Sequence, residues 1–186
     1  RDEEHPRGFF GPNVNPRTGT AFRGSKGNLY EGGLRIPMIA RWPGKIRPGR
    51  LSDLLWYFPD FLPTVADLVG IDPPADIDGI SILPELIGEN AAGHPQKQHD
   101  YLYWELYQGA PGRVSQALRM GDWKVVRQEP ESELELYDLG SDKSESRDLS
   151  SSRPEILGRM RELLEQAHSD PRPQVEPVKV EGRRYY

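Results

Sequence analysis

Lys26 stands among glycines in the segment Gly24-Ser25-Lys26-Gly27-Asn28-Leu29-Tyr30-Glu31-Gly32-Gly33-Leu34-Arg35-Ile36-Pro37. Glycine lets the backbone take φ > 0 and lets a ligand approach closely. A lysine held in such a loop is a compact positive charge with rotatable donors, suited to a tetrahedral oxyanion. A Walker-type phosphate loop needs Gly-Lys-Ser/Thr after an earlier glycine. The order here is Ser25-Lys26-Gly27, so that chemistry is excluded. On composition alone the alternative is a solvated loop lysine. Arg35 reads as an ion-pair or hydrogen-bond partner of nearby carboxylates, with direct substrate contact as the lesser alternative. The four histidines, His5, His94, His99 and His168, have no second ligand at metal spacing and no obvious nucleophile beside them. Surface or helix-end roles are expected for all of them, with His5, in the loop before the lysine segment, a weak candidate for an active-site rim. Asp2-Glu3-Glu4 reads as a solvated cluster, because hard cations take oxygens from converging segments.

These residues need a scaffold, and composition bounds it. The chain has 186 residues, enough for one ordinary domain or two small packed units. Only 35% are hydrophobic, while 18 prolines and 19 glycines announce many turns. The net charge of -5 with no long basic run argues against nucleic acid as a partner. No cysteine is present, so there is no disulfide framework and no zinc-thiolate site. No apolar run approaches the ~18–20 residues of a membrane span. The charged start Arg1-Asp2-Glu3-Glu4-His5-Pro6 has neither a signal-peptide core nor an initiator methionine, and a cut fragment is the expectation.

Along the chain, residues 1–23 read as a Gly/Pro/Asn loop. Residues 34–42 form a near-continuous apolar run, the pattern of a buried strand. A helix is expected over residues 60–69, with Asp60 as N-cap and Gly70 as stop. Residues 89–98 are polar and form the best candidate boundary. Three strand-like runs follow, over 101–107, 116–128 and 134–139, the middle one broken by a hairpin turn at Gly121-Asp122; four short antiparallel strands result. Alternation in the first run puts Tyr101, Tyr103 and Glu105 on one face and Leu102, Trp104 and Leu106 on the other. An aromatic sheet packed on the last helix is the expectation, with Glu105 or Tyr107 at the strand end a weak candidate for substrate contact. Ser152 and Glu155 have capping-box spacing before a helix carrying Ile156, Leu157, Met160, Leu163, Leu164 and Ala167. The tail from Asp170 reads as poorly ordered unless docked.

The segment from Gly24 to Pro37 closely resembles the lysine motif of the sulfatases. Ala40-Arg41-Trp42-Pro43-Gly44-Lys45-Ile46, Asp60-Phe61-Leu62-Pro63-Thr64, Leu68-Val69-Gly70-Ile71 and Asp78-Gly79-Ile80-Ser81-Ile82-Leu83 resemble successive segments of arylsulfatase A-type and N-acetylgalactosamine-6-sulfatase-like enzymes. Tyr101-Leu102-Tyr103-Trp104-Glu105, Arg119-Met120-Gly121-Asp122-Trp123-Lys124 and Glu135-Leu136-Tyr137-Asp138-Leu139 resemble the strands of their C-terminal subdomain. The resemblance implies an α/β, alkaline-phosphatase-like fold. Residues 1–95 would complete its large domain and residues 96–186 would form a small subdomain of antiparallel sheet and helix. It implies that Lys26 contacts the sulfate group, while Gly24, Glu31, Gly32, Gly33 and Arg35 belong to the motif's structural part. It further implies hydrolysis of a sulfate ester, on a carbohydrate or an aryl group, by a parent enzyme using formylglycine and calcium. Relatives are commonly periplasmic or secreted; the compartment of this chain is not readable.

The chain departs from the family pattern at decisive points. It has no Cys/Ser-x-Pro-x-Arg nucleophile motif, and neither the early Asp-Asp nor the Asp-Asn that precedes the lysine motif. The chain by itself is therefore expected to bind no cofactor, to be inactive and to depend on a missing N-terminal sulfatase portion. The alternatives are a non-catalytic carbohydrate- or partner-binding remnant, or a phosphonate or phosphodiester hydrolase of the same superfamily.

Overall fold

A computed structural model describes residues 13–15, 17–107 and 114–169. Its centre is a four-stranded antiparallel sheet in the order β1-β2-β3-β4. The strands are β1 (Leu102–Tyr107), β2 (Val114–Met120), β3 (Trp123–Arg127) and β4 (Glu135–Asp138). Met120 pairs with Trp123, so Gly121 and Asp122 make the two-residue turn that the sequence predicts. Gly121 supplies the positive φ of 59° there.

Period-two alternation sends the two faces of this sheet to different partners. Leu118, Val125 and Leu136 face helix α5 (Pro154–Ala167) and enclose Met160 and Leu164, with Tyr101 and Tyr103 packed alongside. Ala117, Val126 and Tyr137 face the other way and enclose Leu29, Tyr30 and Leu139, with Trp104 and Leu106 alongside. The helix therefore covers one face and the lysine segment covers the other. The expected partition of β1 holds: Tyr101 and Tyr103 pack with α5, Trp104 and Leu106 opposite.

One helix start differs from expectation in position, and a second meets it in position but not in bonding. The N-cap of α5 is Arg153, with Pro154 in the first helical position, and no side chain caps the helix. That register leaves Ser152 outside the capping position, and its hydroxyl donates back to the Leu149 carbonyl at 3.1 Å. Helix α2 (Phe61–Val69) follows a 3-10 turn over Phe58–Asp60 and ends at Gly70 in the left-handed region, φ 72°. Asp60 occupies the N-cap position of α2, as expected, but its side chain makes no capping hydrogen bond to that helix. Its carboxylate accepts the backbone N–H of Tyr57 at 2.9 Å and of Ile80 at 2.8 Å, and pairs with His99 Nε2 at 2.8 Å.

The buried strand expected over residues 34–42 is not formed. After the single-turn helix α1 (Glu31–Leu34) the chain runs on without a strand partner, and Ile36 and Ile39 are 63% and 94% exposed. An apolar run signals a strand buried on both faces only where neighbouring strands flank it, and among the described residues none does. Short helices α3 (Leu83–Ile87) and α4 (Glu89–Ala92) complete this half. Among the described residues no helix is long and apolar enough to cross a membrane.

Candidate anion-binding loop

The lysine loop is a closed ring of backbone. Gly32 N–H donates to the Arg23 carbonyl at 2.8 Å, and Asn28 N–H donates to the Ser25 carbonyl at 3.2 Å. Gly24 turns with φ 78°, a left-handed conformation that glycine adopts without strain. Gly32 and Gly33 serve by a different means, since neither has positive φ. A β-carbon on Gly32 would meet the Gly24 and Arg23 carbonyls, and one on Gly33 would meet the Asn28 and Ser25 carbonyls. The ring is therefore wound too tightly for side chains at its closure. Lys26 lies on its exposed outer turn.

Both ends of the ring are tied to the sheet. At the entering end, Arg23 stacks over the Tyr30 ring at 3.9 Å, donates to the Tyr137 hydroxyl at 2.5 Å and pairs with Glu135 at 3.2 Å. The Tyr30 hydroxyl donates to the same Glu135 carboxylate at 2.7 Å. Burial, reinforced by the Glu135 carboxylate, pushes the Tyr30 hydroxyl well above the usual phenol range, so it stays a donor. At the leaving end, Glu31 is buried and pairs with Lys124 Nζ at 2.9 Å and with Arg35 Nε at 2.5 Å. Burial alone would raise the Glu31 carboxyl, but Lys124, Arg35 and Arg119 together hold it below the ordinary range. Glu31 is thus an anchored carboxylate, and Arg35 has the ion-pair role that its sequence context predicts.

The remaining candidates lie elsewhere. Glu105 is on the α5 face of the sheet, opposite the face that carries the lysine loop; it accepts hydrogen bonds from the Tyr103 hydroxyl and from Gln116, and pairs with His168 Nδ1 at 2.8 Å. Tyr107, at the end of the same strand, is exposed. His5 lies outside the described residues, as do Asp2-Glu3-Glu4 and the tail from Asp170. His168 has the helix-end place expected of it, and His94 is a partly exposed partner of Asp67 at 2.9 Å. His99 does not fit the surface expectation: its side chain is 8% exposed and paired to Asp60. A broad open groove lined by Asn13, Thr20, Arg35, Ile36, Asp142 and Lys143 lies beside Arg35 and does not include Lys26.

The anchors Arg23, Lys124, Glu135 and Glu145 were not singled out from the sequence. Lys124 carried a readable signal, a lysine inside a short apolar strand two residues from a core valine. Among the described residues no group of three or more His, Cys, Asp or Glu side chains converges on a metal position, and the chain has no cysteine. These residues do not by themselves fit a calcium or a formylglycine site. What the loop offers chemically is an exposed ammonium group on a closed backbone turn, a donor for an anionic group.

Known proteins are similar to this chain in sequence and fold. A family model described as N-sulphoglucosamine sulphohydrolase, C-terminal, matches residues 24–170. An uncharacterized sulfatase of Schizosaccharomyces pombe is 32% identical over 166 residues, covering 84% of this chain and 28% of that protein. The N-acetylgalactosamine-6-O-sulfatase of Bacteroides thetaiotaomicron is 27% identical over 164 residues, covering 77% of this chain and 29% of the enzyme. The crystal structure of Ps i-CgsB superposes with a TM-score of 0.64 at 27% identity, over 78% of this chain and 31% of that one. A phosphonate monoester hydrolase from Silicibacter pomeroyi, at 23% identity and a TM-score of 0.53, covers 68% of this chain and 27% of its own and shares the fold. The chain thus spans under a third of the length of these relatives. With its lysine loop, sheet and last helix all inside the matched region, the chain belongs to the sulfatase family, as a C-terminal part of the alkaline-phosphatase-like α/β fold.

Proposed function

We propose that this chain is part of a sulfatase that hydrolyses sulfate esters on a carbohydrate or an aryl group, and that Lys26 contacts the sulfate. The observation that carries this reading is the lysine ring itself: a cation on a tightly closed glycine turn, tied at both ends to a packed sheet. A donor held in place before reaction stabilises developing negative charge without reorganising, which is where most electrostatic catalysis comes from. Lys26 would face the sulfonyl oxygens or the leaving oxygen and offset their charge. The names of the relatives support a sulfated sugar as substrate, since one acts as an N-acetylgalactosamine-6-O-sulfatase and another as an N-acetylglucosamine-6-O-sulfatase.

The nucleophile and the cation would be supplied by a preceding sulfatase portion, with formylglycine and calcium as the expected groups. In this reading residues 1–95 complete the large domain and residues 96–186 form the subdomain. Helix α2 supports it, because Pro63, Thr64 and Ala66 face inward while Phe61, Leu62, Val65, Leu68 and Val69 are exposed. A helix that turns its large apolar side chains outward is one whose partner surface lies outside these residues.

The test is Lys26→Ala in a polypeptide that joins this chain to a nucleophile-bearing sulfatase portion, assayed on aryl sulfate and on sulfated N-acetylhexosamine. Loss of one oxyanion donor is expected to lower kcat by about 100- to 1,000-fold. Unchanged kinetics would remove Lys26 from the mechanism. Preferential turnover of phosphate or phosphonate esters would replace the sulfatase reading with that of a phosphoryl hydrolase.

A further inference from the structure

Glu145 lies in the loop after β4, well outside the glycine ring in sequence, and its side chain is completely buried. Its backbone holds φ 52°, a left-handed conformation that a residue with a long side chain seldom takes. The surrounding loop enforces it. The Asp142 carbonyl accepts the Glu145 N–H at 3.2 Å, and the Asp142 carboxylate accepts the N–H groups of Ser146 and Arg147 at 2.8 and 2.9 Å.

From that position Glu145 reaches both ends of the ring. One carboxylate oxygen accepts the Glu31 backbone N–H at 2.7 Å. The other lies 2.7 Å from Lys124 Nζ, an ion pair set off the hydrogen-bonding direction. Its carbonyl accepts Arg23 Nη1 at 3.3 Å. Lys124, itself 0% exposed, bridges Glu145 and Glu31 from the sheet. Burial holds the Glu145 carboxyl above the ordinary carboxylate range even with Lys124 beside it. A general filler of this space would need neither the carboxylate nor the left-handed backbone, since an apolar side chain on an ordinary turn would pack as well.

We propose that Glu145, together with Lys124, is a positioning residue for Lys26: a buried carboxylate–ammonium latch that joins the two ends of the lysine ring and sets its outer turn. The inference rests on the reading of Lys26 as the anion-contacting residue, and adds the group that fixes its place. Acting through the ring and not on substrate, the latch should govern the order of the ring and the kinetic worth of Lys26, and leave the sheet as it is.

Two measurements test this. In the 186-residue chain, amide hydrogen exchange is followed for Glu145→Gly, which suits the left-handed backbone while deleting the carboxylate, and for Glu145→Gln, which keeps the size and an acceptor. Amides of the ring, Glu31 and Gly32 above all, are expected to exchange about tenfold faster in Glu145→Gly, the loss of one hydrogen bond to a charged group. They should exchange less than that faster in Glu145→Gln, with Leu118 and Val125 unchanged in both. Ring exchange that stays at the unsubstituted rate, or that rises in step with the strands, would overturn the latch. If Glu145→Gly does not fold, Glu145→Gln alone decides by the same comparison. In the joined sulfatase, Glu145→Gln is expected to lower kcat about tenfold when Lys26 is present and to add nothing in a Lys26→Ala background. Additive losses would overturn the proposal. Absence of any sulfate-ester turnover by the unsubstituted joined protein would instead sink the sulfatase reading, and the exchange comparison would still decide the latch.

Discussion

A β-carbon on Gly33 would run into the carbonyl oxygens of Asn28 and Ser25, and backbone atoms in a closed ring have nowhere to move. The constraint is spatial, so substitution is costly even though the backbone dihedral suits any residue. Gly33→Ala is expected to destabilise the chain by about 1–3 kcal/mol, the usual range for forcing extra volume into a packed site. Urea unfolding followed by tryptophan fluorescence would read this as a lower midpoint at unchanged slope. The aromatic anchors obey a similar logic. Tyr30 and Tyr137 meet edge to face with ring centroids 6.4 Å apart, and both hydroxyls converge on Glu135. The Arg23 guanidinium over Tyr30 closes the group, a planar cation on an aromatic face. No single contact in it is strong, but together they leave Arg23 and Tyr30 one arrangement, and the glycine turn between them inherits it.

At the scale of elements, the end of α5 is tied to β1 through Glu105 and His168, at 2.8 Å. Burial alone would raise the Glu105 carboxyl, but the Tyr103 hydroxyl, His168 and Gln116 hold it below its ordinary value of 4.5. A carboxyl lowered on folding adds stability above its unfolded-state value and loses it as pH falls through the folded one. The contribution of the Glu105 carboxylate is therefore present above pH 4.5 and fades as pH falls below it. Glu105→Gln is expected to lower the thermal midpoint at pH 7 and to flatten its fall between neutrality and the acid range, measured by circular dichroism across pH. An unchanged pH slope would show that this carboxylate does not couple to folding. The strands, the Gly121-Asp122 turn, the stop at Gly70 and the last helix are all legible in the sequence, because each is written in local periodicity or in a turn residue. The run over 34–42 misleads because apolarity does not say which chain segment will cover it. Asp60 is legible only in part: it stands at the helix cap that its type suggests, while the groups that claim its carboxylate, Ile80 N–H and His99, lie far along the chain. Lys26 and Arg35 could be found from their motif. Lys124 and Glu145 could not be paired with it, since their partnership with Glu31 exists only once β3 and the loop after β4 are folded beside the ring.

For the whole molecule, the sheet is covered on both faces, yet many large apolar side chains stay exposed on the half that precedes it. Ile39 is 94% exposed, Leu51 87%, Phe58 77%, Phe61 65% and Val69 61%. Soluble monomers seldom leave so many large apolar side chains exposed, and where these cluster they mark interfaces or association-prone faces. The chain alone should therefore self-associate as concentration rises, and sedimentation velocity should show it. The variant Ile39→Lys, Phe61→Glu, Val69→Lys tests whether this surface is responsible. Phe61 is the first residue of α2 and Val69 the last, so an acid at the start and a base at the end both agree with the helix dipole. Surface substitutions away from packed contacts usually change stability by no more than about 0.5 kcal/mol each, which for a domain of this size is about 1–2 °C in Tm. The expected result is less binding of an apolar dye, a monomer at concentrations where the unsubstituted chain associates, and a Tm within a few degrees of the original. A large fall in Tm would mean that these side chains are packed within the chain itself. An unchanged association constant would place the sticky surface elsewhere, and would remove the exposed face of α2 as support for a partner portion beyond these residues.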